Sequence, residues 1–190
     1  MPVLLQNVSY FLELRNLETD MENFKKIEPE DFGANAFTKI GKEWMLIMAE
    51  KDGKANAMTA SWGGLGVLWS KNVAFVFIRQ SRYTKEFVDA GENFSLVFLP
   101  HEKNAKVLGY FGSVSGRTED KIAKSGLSLA HKDGIPYFAE AGEVLFCKKL
   151  SASVIAPENF LEKSLLDEFY GDGDLHTMYV AEITGIYQHI

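Results

Sequence analysis

The feature that most constrains this fold is a series of short apolar runs, rich in branched and aromatic residues, separated by turns instead of regularly alternating helices. Trp44-Met-Leu-Ile-Met-Ala49 is followed by the turn signal Lys51-Asp-Gly-Lys54, which predicts a strand entering a hairpin, with the next strand over residues 56–62. Residues 73–78 and 94–99 read as further strands, and residues 143–155 and 177–188 as two long ones, the last alternating through Met178, Val180, Glu182 and Thr184. Helical segments are expected at 84–90, 102–110, 119–125 and 158–170, the last with Phe160, Leu161, Leu165 and Phe169 on one face. These helices are too few and too irregular for a parallel sheet built from βαβ units. The expected class is mainly β with peripheral helices, an antiparallel barrel, closed or partly open, with the helices packed outside.

Bulk properties narrow the function. A chain of 190 residues suits one domain with its own core, and 46% hydrophobic with 13% aromatic content argues against disorder. A formal net charge of -6 opposes a nucleic-acid binder or an anionic-membrane binder, because phosphate backbones are held by clustered Lys and Arg. Cys147 is the single cysteine, so no internal disulfide forms and a reducing compartment is expected; in its strand-like run it reads as a small buried apolar side chain. His101, His131, His176 and His189 lack the short spacings of a metal site, and no metal is expected. No run approaches the roughly 18 apolar residues of a membrane span. The N-terminus lacks the basic start and cleavage site of a signal peptide, so a cytoplasmic location is expected. Residues 1–20, with Leu4, Val8, Phe11 and Leu12 at near-helical spacing, read either as a poorly ordered extension or as a docking arm, and residues 21–190 as the domain proper.

The chemistry concentrates in two stretches. Asn56-Ala-Met-Thr-Ala-Ser-Trp-Gly-Gly-Leu-Gly66 places small hydroxyls, an aromatic plate and glycines at one strand end, and Arg79-Gln-Ser-Arg-Tyr-Thr84 places two arginines and two hydroxyls where a strand gives way to a helix. Such a junction offers free backbone N–H groups and positive dipole. Together these groups suit a flat aromatic cofactor bearing a phosphate of charge about -1.5 to -2, with flavin mononucleotide (FMN) as the leading reading. As plain structure, the same residues are a half-buried strand and a capped helix with exposed arginines. Ser113-Val-Ser-Gly-Arg-Thr-Glu-Asp-Lys121 reads either as a loop before a helix capped by Thr118, or as a second wall of the pocket with Arg117 and Lys121 adding positive potential. His176, after the turn Gly171-Asp-Gly-Asp174, is either a surface histidine or a group that orients a nicotinamide or donates a proton. Gly64-x-Gly66 precedes no helix, so the dinucleotide fingerprint fails, and no phosphate loop of the Gly-x-x-x-x-Gly-Lys type occurs.

At these residues the chain resembles the flavin reductase-like family. The similarity lies in Asn56 to Trp69, in Ile78-Arg-Gln-Ser-Arg-Tyr-Thr-Lys-Glu-Phe87, in Ser115-Gly-Arg-Thr-Glu-Asp-Lys-Ile-Ala-Lys-Ser-Gly-Leu127 and in Glu140-Ala141. Gln80 stands where that pattern has a proline. The resemblance implies an FMN-binding split β-barrel, usually homodimeric. It places Thr59, Ala60, Ser61 and Trp62 on the flavin ring and ribityl chain, Arg79, Ser81, Arg82 and Thr84 on the ribityl and phosphate, and Ser115, Gly116 and Lys121 nearby. It implies either an oxidoreductase passing hydride from NADH or NADPH to free flavin, oxygen or an electron-acceptor protein, or a flavoredoxin-like carrier with no nicotinamide site of its own.

Overall fold

The computed structural model describes residues 21–190. The amphipathic spacing of Leu4, Val8, Phe11 and Leu12 and the extension reading of residues 1–20 lie outside them. In chain order the strands are β1 (Phe24–Ile27), β2 (Met45–Lys51), β3 (Lys54–Ala60), β4 (Gly63–Leu68), β5 (Lys71–Arg79), β6 (Asn93–Phe98), β7 (Leu129–Lys132), β8 (Ile135–Phe138), β9 (Glu143–Val154) and β10 (His176–His189). The helices are α1 (Ala36–Gly41), α2 (Tyr83–Ala90), α3 (His101–Ser113), α4 (Lys121–Ser125) and α5 (Ser164–Tyr170). None of them is long and apolar enough to cross a membrane.

The main sheet is antiparallel and runs β3-β2-β6-β9-β10-β5-β4. β10 pairs along one edge first with β5, from His176 to Glu182, and then with β1, from Ile186 to His189. β7 and β8 form a separate hairpin. The path does not close: β3 and β4, consecutive in the chain and joined through Ser61 and Trp62, lie at its two ends and form no ladder with each other. Two register shifts between β9 and β10, at Val180/Ala181 and Ile183/Gly185, add the local bend that curls a sheet toward a barrel.

The strand runs look continuously apolar because both faces are buried. Met45, Ile47 and Ala49 of β2, Phe94, Leu96 and Phe98 of β6, and Leu145 and Cys147 of β9 enter one core with Val76, Ile78 and Tyr179. The intervening Leu46, Met48, Val97, Val144 and Phe146 enter a second core, covered by Leu108 and Phe111 of α3 and by Ala130, Tyr137 and Phe138 of the β7–β8 hairpin. Each such large side chain contributes about 1.5–3 kcal/mol on burial. Cys147 is fully buried, as its sequence context implied, and burial alone pushes its thiol well above the ordinary range.

The β2–β3 hairpin forms at the expected turn, with Asp52 and Gly53 both at positive φ (52° and 73°), the geometry a two-residue turn between twisted strands requires. Other expectations need correction. Residues 158–170 are not one helix: Pro157–Asn159 is a 3-10 turn, Phe160 is extended, and Glu162 accepts from Ser164 N at 3.2 Å as α5 starts. The proposed apolar face dissolves accordingly, with Leu161 98% exposed. Asp120, not Thr118, caps α4 by accepting from Ala123 N, while Thr118 donates to Ser115 O. A carboxylate immediately before the helix outcompetes a hydroxyl two residues earlier.

Candidate functional site at the split of the sheet

At the end of β3 and the joint that leads to β4 lie two adjoining cavities that share Met58 and Arg82 as a common wall. The first, about 220 Å³, is lined by Thr59, Ala60, Ser61 and Trp62 from the end of β3 and the joint after it, by Phe77 and Arg79 of β5, and by Arg82 and His176. The second, about 190 Å³, is lined by Ser81, Arg82, Tyr83 and Thr84 at the start of α2, by Ser113 to Gly116, and by Lys121. Every residue that the resemblance placed around the flavin, and His176, borders one of these two cavities; Arg117, expected to add positive potential to the second wall, borders neither. Ser113 and Val114 belong to the loop read as a second wall, and they do line the second cavity; Met58, Phe77 and Tyr83 complete the walls without having been assigned a role, since their residue types are those of ordinary strand and helix positions.

The second cavity is built around two cations. α3 ends at Ser113 and leaves carbonyls without helical partners. Arg82 Nη1 donates to Gly112 O at 2.8 Å and Lys121 Nζ to Phe111 O at 3.1 Å, both on the negative end of that helix. Lys121 is only 3% exposed. Burial first, and then the charge of Arg82, brings its ammonium down to about 8. Burial likewise lowers the guanidinium of Arg82, against a weaker opposing pull from Asp174. Among the described residues neither cation forms an ion pair with a carboxylate. An anion of two charges set between them would satisfy both, so the donor set fits a phosphate.

The floor is fixed from below. Asn56 Nδ2 donates to Thr84 Oγ1 at 2.8 Å inside the fold, and Thr59 Oγ1 donates to Leu108 O at 2.6 Å, tying β3 to α2 and α3. Gly116 packs on this pair so closely that a Cβ there would fall 2.3 Å from Asn56 Oδ1 and 2.9 Å from the Tyr83 ring.

Arg79 and Ser81 border the cavities but are held by the segment before β10. Arg79 donates to Asp174 O at 2.9 Å and Phe169 O at 2.8 Å, with Asp172 at 3.6 Å and the Tyr170 ring 5.2 Å below the guanidinium. Ser81 N and Oγ both donate to the Asp174 carboxylate, at 3.0 and 2.6 Å. Arg117 stacks on Tyr83 and pairs with Glu86, so its charge is spent at the surface. His176 is 7% exposed and sits opposite Arg79 in the β5–β10 register. Its Nδ1 meets Tyr170 Oη at 2.9 Å and its ring lies 5.1 Å from Trp62. Burial, then the charge of Arg79, lowers its imidazolium to about 4, so it is neutral at pH 7. Tyr170, the last residue of α5, and Asp174, at the end of the turn before His176, were also given no role by sequence reasoning; the only signal was their nearness in sequence to His176.

Comparison with known proteins agrees with this geometry. The family described as "Flavin reductase like domain" matches residues 37–189. An FMN-binding domain of a flavin reductases-like enzyme from Shewanella baltica superposes with a TM-score of 0.64 at 19% identity, covering 88% of this chain and 78% of that one. A flavoredoxin from Methanosarcina acetivorans gives 0.59 at 23% identity, covering 87% and 75%. A high molecular weight rubredoxin from Moorella thermoacetica is 37% identical over 65 residues, 34% of this chain, and the match spans only 28% of that longer protein. A split antiparallel sheet, a cavity at the split and a match across most of its length all lead to one assignment: the chain belongs to the flavin reductase-like family.

Proposed function

We propose that this protein binds FMN and acts as an oxidoreductase of the flavin reductase type, taking hydride from NADH or NADPH and passing electrons to free flavin, oxygen or a partner protein. The observation that carries the reading is the pair of half-buried Arg82 and buried Lys121, two cations facing one cavity with no carboxylate partner among the described residues. When bound, the flavin supplies the electron uptake and release; the protein supplies binding, orientation and electrostatics. Arg82 and Lys121 hold the phosphate, Thr84, Ser115 and Gly116 line its approach, and the 59–62 segment supplies backbone and hydroxyl groups to the polar ring edge. Arg79 and Ser81 brace the 169–174 segment against the first cavity and add positive potential from the side. His176, neutral at pH 7, offers a hydrogen-bonding edge instead of a charged acid.

A carrier without a nicotinamide site is the second reading. It is favoured by the Trp62 indole, which meets His176 and Phe169 at 5.1 and 5.4 Å and narrows the room for a second planar ring. The proposal includes a homodimer, supported by exposed Val67 and Trp69 on the β4–β5 hairpin, and a sedimentation mass near the 21.3 kDa of one chain at micromolar concentration would oppose it. It also includes a cytoplasmic setting.

The deciding experiment is an absorbance spectrum of the FMN-loaded protein before and after anaerobic NADH and NADPH. Rapid bleaching of the bound flavin supports the reductase, and indifference to both donors supports the carrier. A colourless protein that ignores added FMN overturns both.

A further inference from the structure

The pair Tyr170 and His176 is more specific than a packing contact. Tyr170 Oη lies 2.9 Å from His176 Nδ1, and no other partner for that hydroxyl occurs among the described residues. A phenol can donate or accept, and a neutral imidazole carries its proton on one nitrogen only. If Nδ1 held the proton and donated to the phenol oxygen, the phenol proton would have no protein acceptor among the described residues. If the phenol donates, Nδ1 is the acceptor, both groups are satisfied, and the proton must sit on Nε2.

The environment favours that arrangement. Tyr170 is clamped in one pose by the Arg79 guanidinium over its ring, 5.2 Å away, by Phe160 at 5.5 Å, and by the edge of His176 itself. Burial raises its phenol above the ordinary value, so it keeps the proton it donates. The charges facing the imidazole are Arg79, Arg82 and Asp174; the two guanidiniums oppose protonation, and the single carboxylate is already held by Ser81. The remaining ring nitrogen, Nε2, has no protein partner among the described residues and belongs to a side chain that lines the first cavity.

We propose that Tyr170 is a positioning residue that locks His176 as the Nε2–H tautomer, so that the first cavity presents one fixed, uncharged N–H donor and selects ligands bearing a carbonyl oxygen at that point. The selection follows from satisfaction of hydrogen bonds: a ligand edge that is itself an N–H donor would leave two donors facing each other, whereas a carbonyl oxygen pairs with Nε2–H. The lock does not depend on which cofactor fills the cavities, so its test is separate from that of the flavin reading.

The test is nitrogen NMR on the full-length chain labelled with 15N-histidine, at pH 7, with the His176 signals identified by their loss in His176→Gln. In the wild type, Nε2 is expected in the protonated, pyrrole-like range and Nδ1 in the unprotonated, pyridine-like range. In Tyr170→Phe, which keeps the ring for Arg79 and Phe160 but removes the hydroxyl, both nitrogens are expected to move toward the averaged values of mixed tautomers. Added benzamide, a neutral carbonyl probe, is expected to shift the wild-type Nε2 resonance and to lose that effect in Tyr170→Phe. A wild-type spectrum with the proton on Nδ1, or already averaged, overturns the lock even if the variant does not fold. A locked ring that ignores benzamide overturns the selection.

Discussion

Arg82 and Lys121 end on consecutive carbonyls of one helix terminus, Gly112 O at 2.8 Å and Phe111 O at 3.1 Å, so that two cations from different parts of the chain meet at a single negative pole. The helix end repays part of the cost of burying them, and an anionic ligand would repay the rest. Arg82→Ala is expected to weaken FMN binding by about 1.5–3 kcal/mol, roughly ten- to a hundredfold, measured by flavin fluorescence titration. Unchanged affinity would remove Arg82 from the phosphate site.

Lys121 separates a binding role from a structural one. Burying a charge without an opposite charge beside it is costly, and an apolar side chain of similar length removes that cost. Lys121→Met is therefore expected to melt at the wild-type temperature or above it, while FMN affinity falls about tenfold or more. A lower melting temperature with intact affinity would make Lys121 only a cap of α3.

The pH dependence of binding follows from the same lysine. Its ammonium, brought down to about 8, loses its proton in the ligand-free fold above that pH. FMN affinity is expected to decline as pH rises from 7 through 8 to 9, and the decline should be shallower in Lys121→Met. Equal slopes in the two proteins would assign the dependence elsewhere.

Gly116 tests how tightly the floor is built. The added methyl of Gly116→Ala would press on Asn56 Oδ1 and on Tyr83, forcing apart the Asn56–Thr84 hydrogen bond. A loss of about 1–3 kcal/mol in denaturant unfolding is expected, the usual range for overpacking. Wild-type stability would mean that the loop relaxes freely.

Acid stability reports on His176. In the folded protein its imidazole stays neutral down to about pH 4, whereas in the unfolded chain it takes up a proton near its ordinary 6.5. The unfolded state binds more protons between those values, so stability is full above 6.5 and falls as pH drops toward 4. Thermal melts across this window should show a smaller acid loss for His176→Gln than for the wild type.

How much of this was legible depended on the range of the interactions involved. β2, β5, β6, β9 and β10 announced themselves because burial on both faces, or alternation on one, leaves its pattern within a few residues. β4 did not, because Gly63, Gly64 and Gly66 have no side chains to show a strand preference and its turn to β5 uses Trp69 and Ser70 at positive φ instead of glycine or asparagine. β1 was hidden by its two lysines, which face outward at the far end of β10. The site residues on β3, β5 and α2 stood out as hydroxyls and arginines clustered along the chain. What stayed hidden was how they are used: that Asp174 occupies the Ser81 donors, and that Tyr170 meets His176, are consequences of where a loop folds back, which local pattern does not encode.

β3 and β4 are held together by two residues of covalent chain and not by a ladder of backbone bonds. The first cavity lies beside this seam, its β3 wall of Met58, Thr59 and Ala60 set against Phe77 and Arg79 of β5, two strands that share no ladder either. A ligand entering between these walls would break no interstrand backbone bond, and Trp62, 43% exposed, stands at the rim that it would pass.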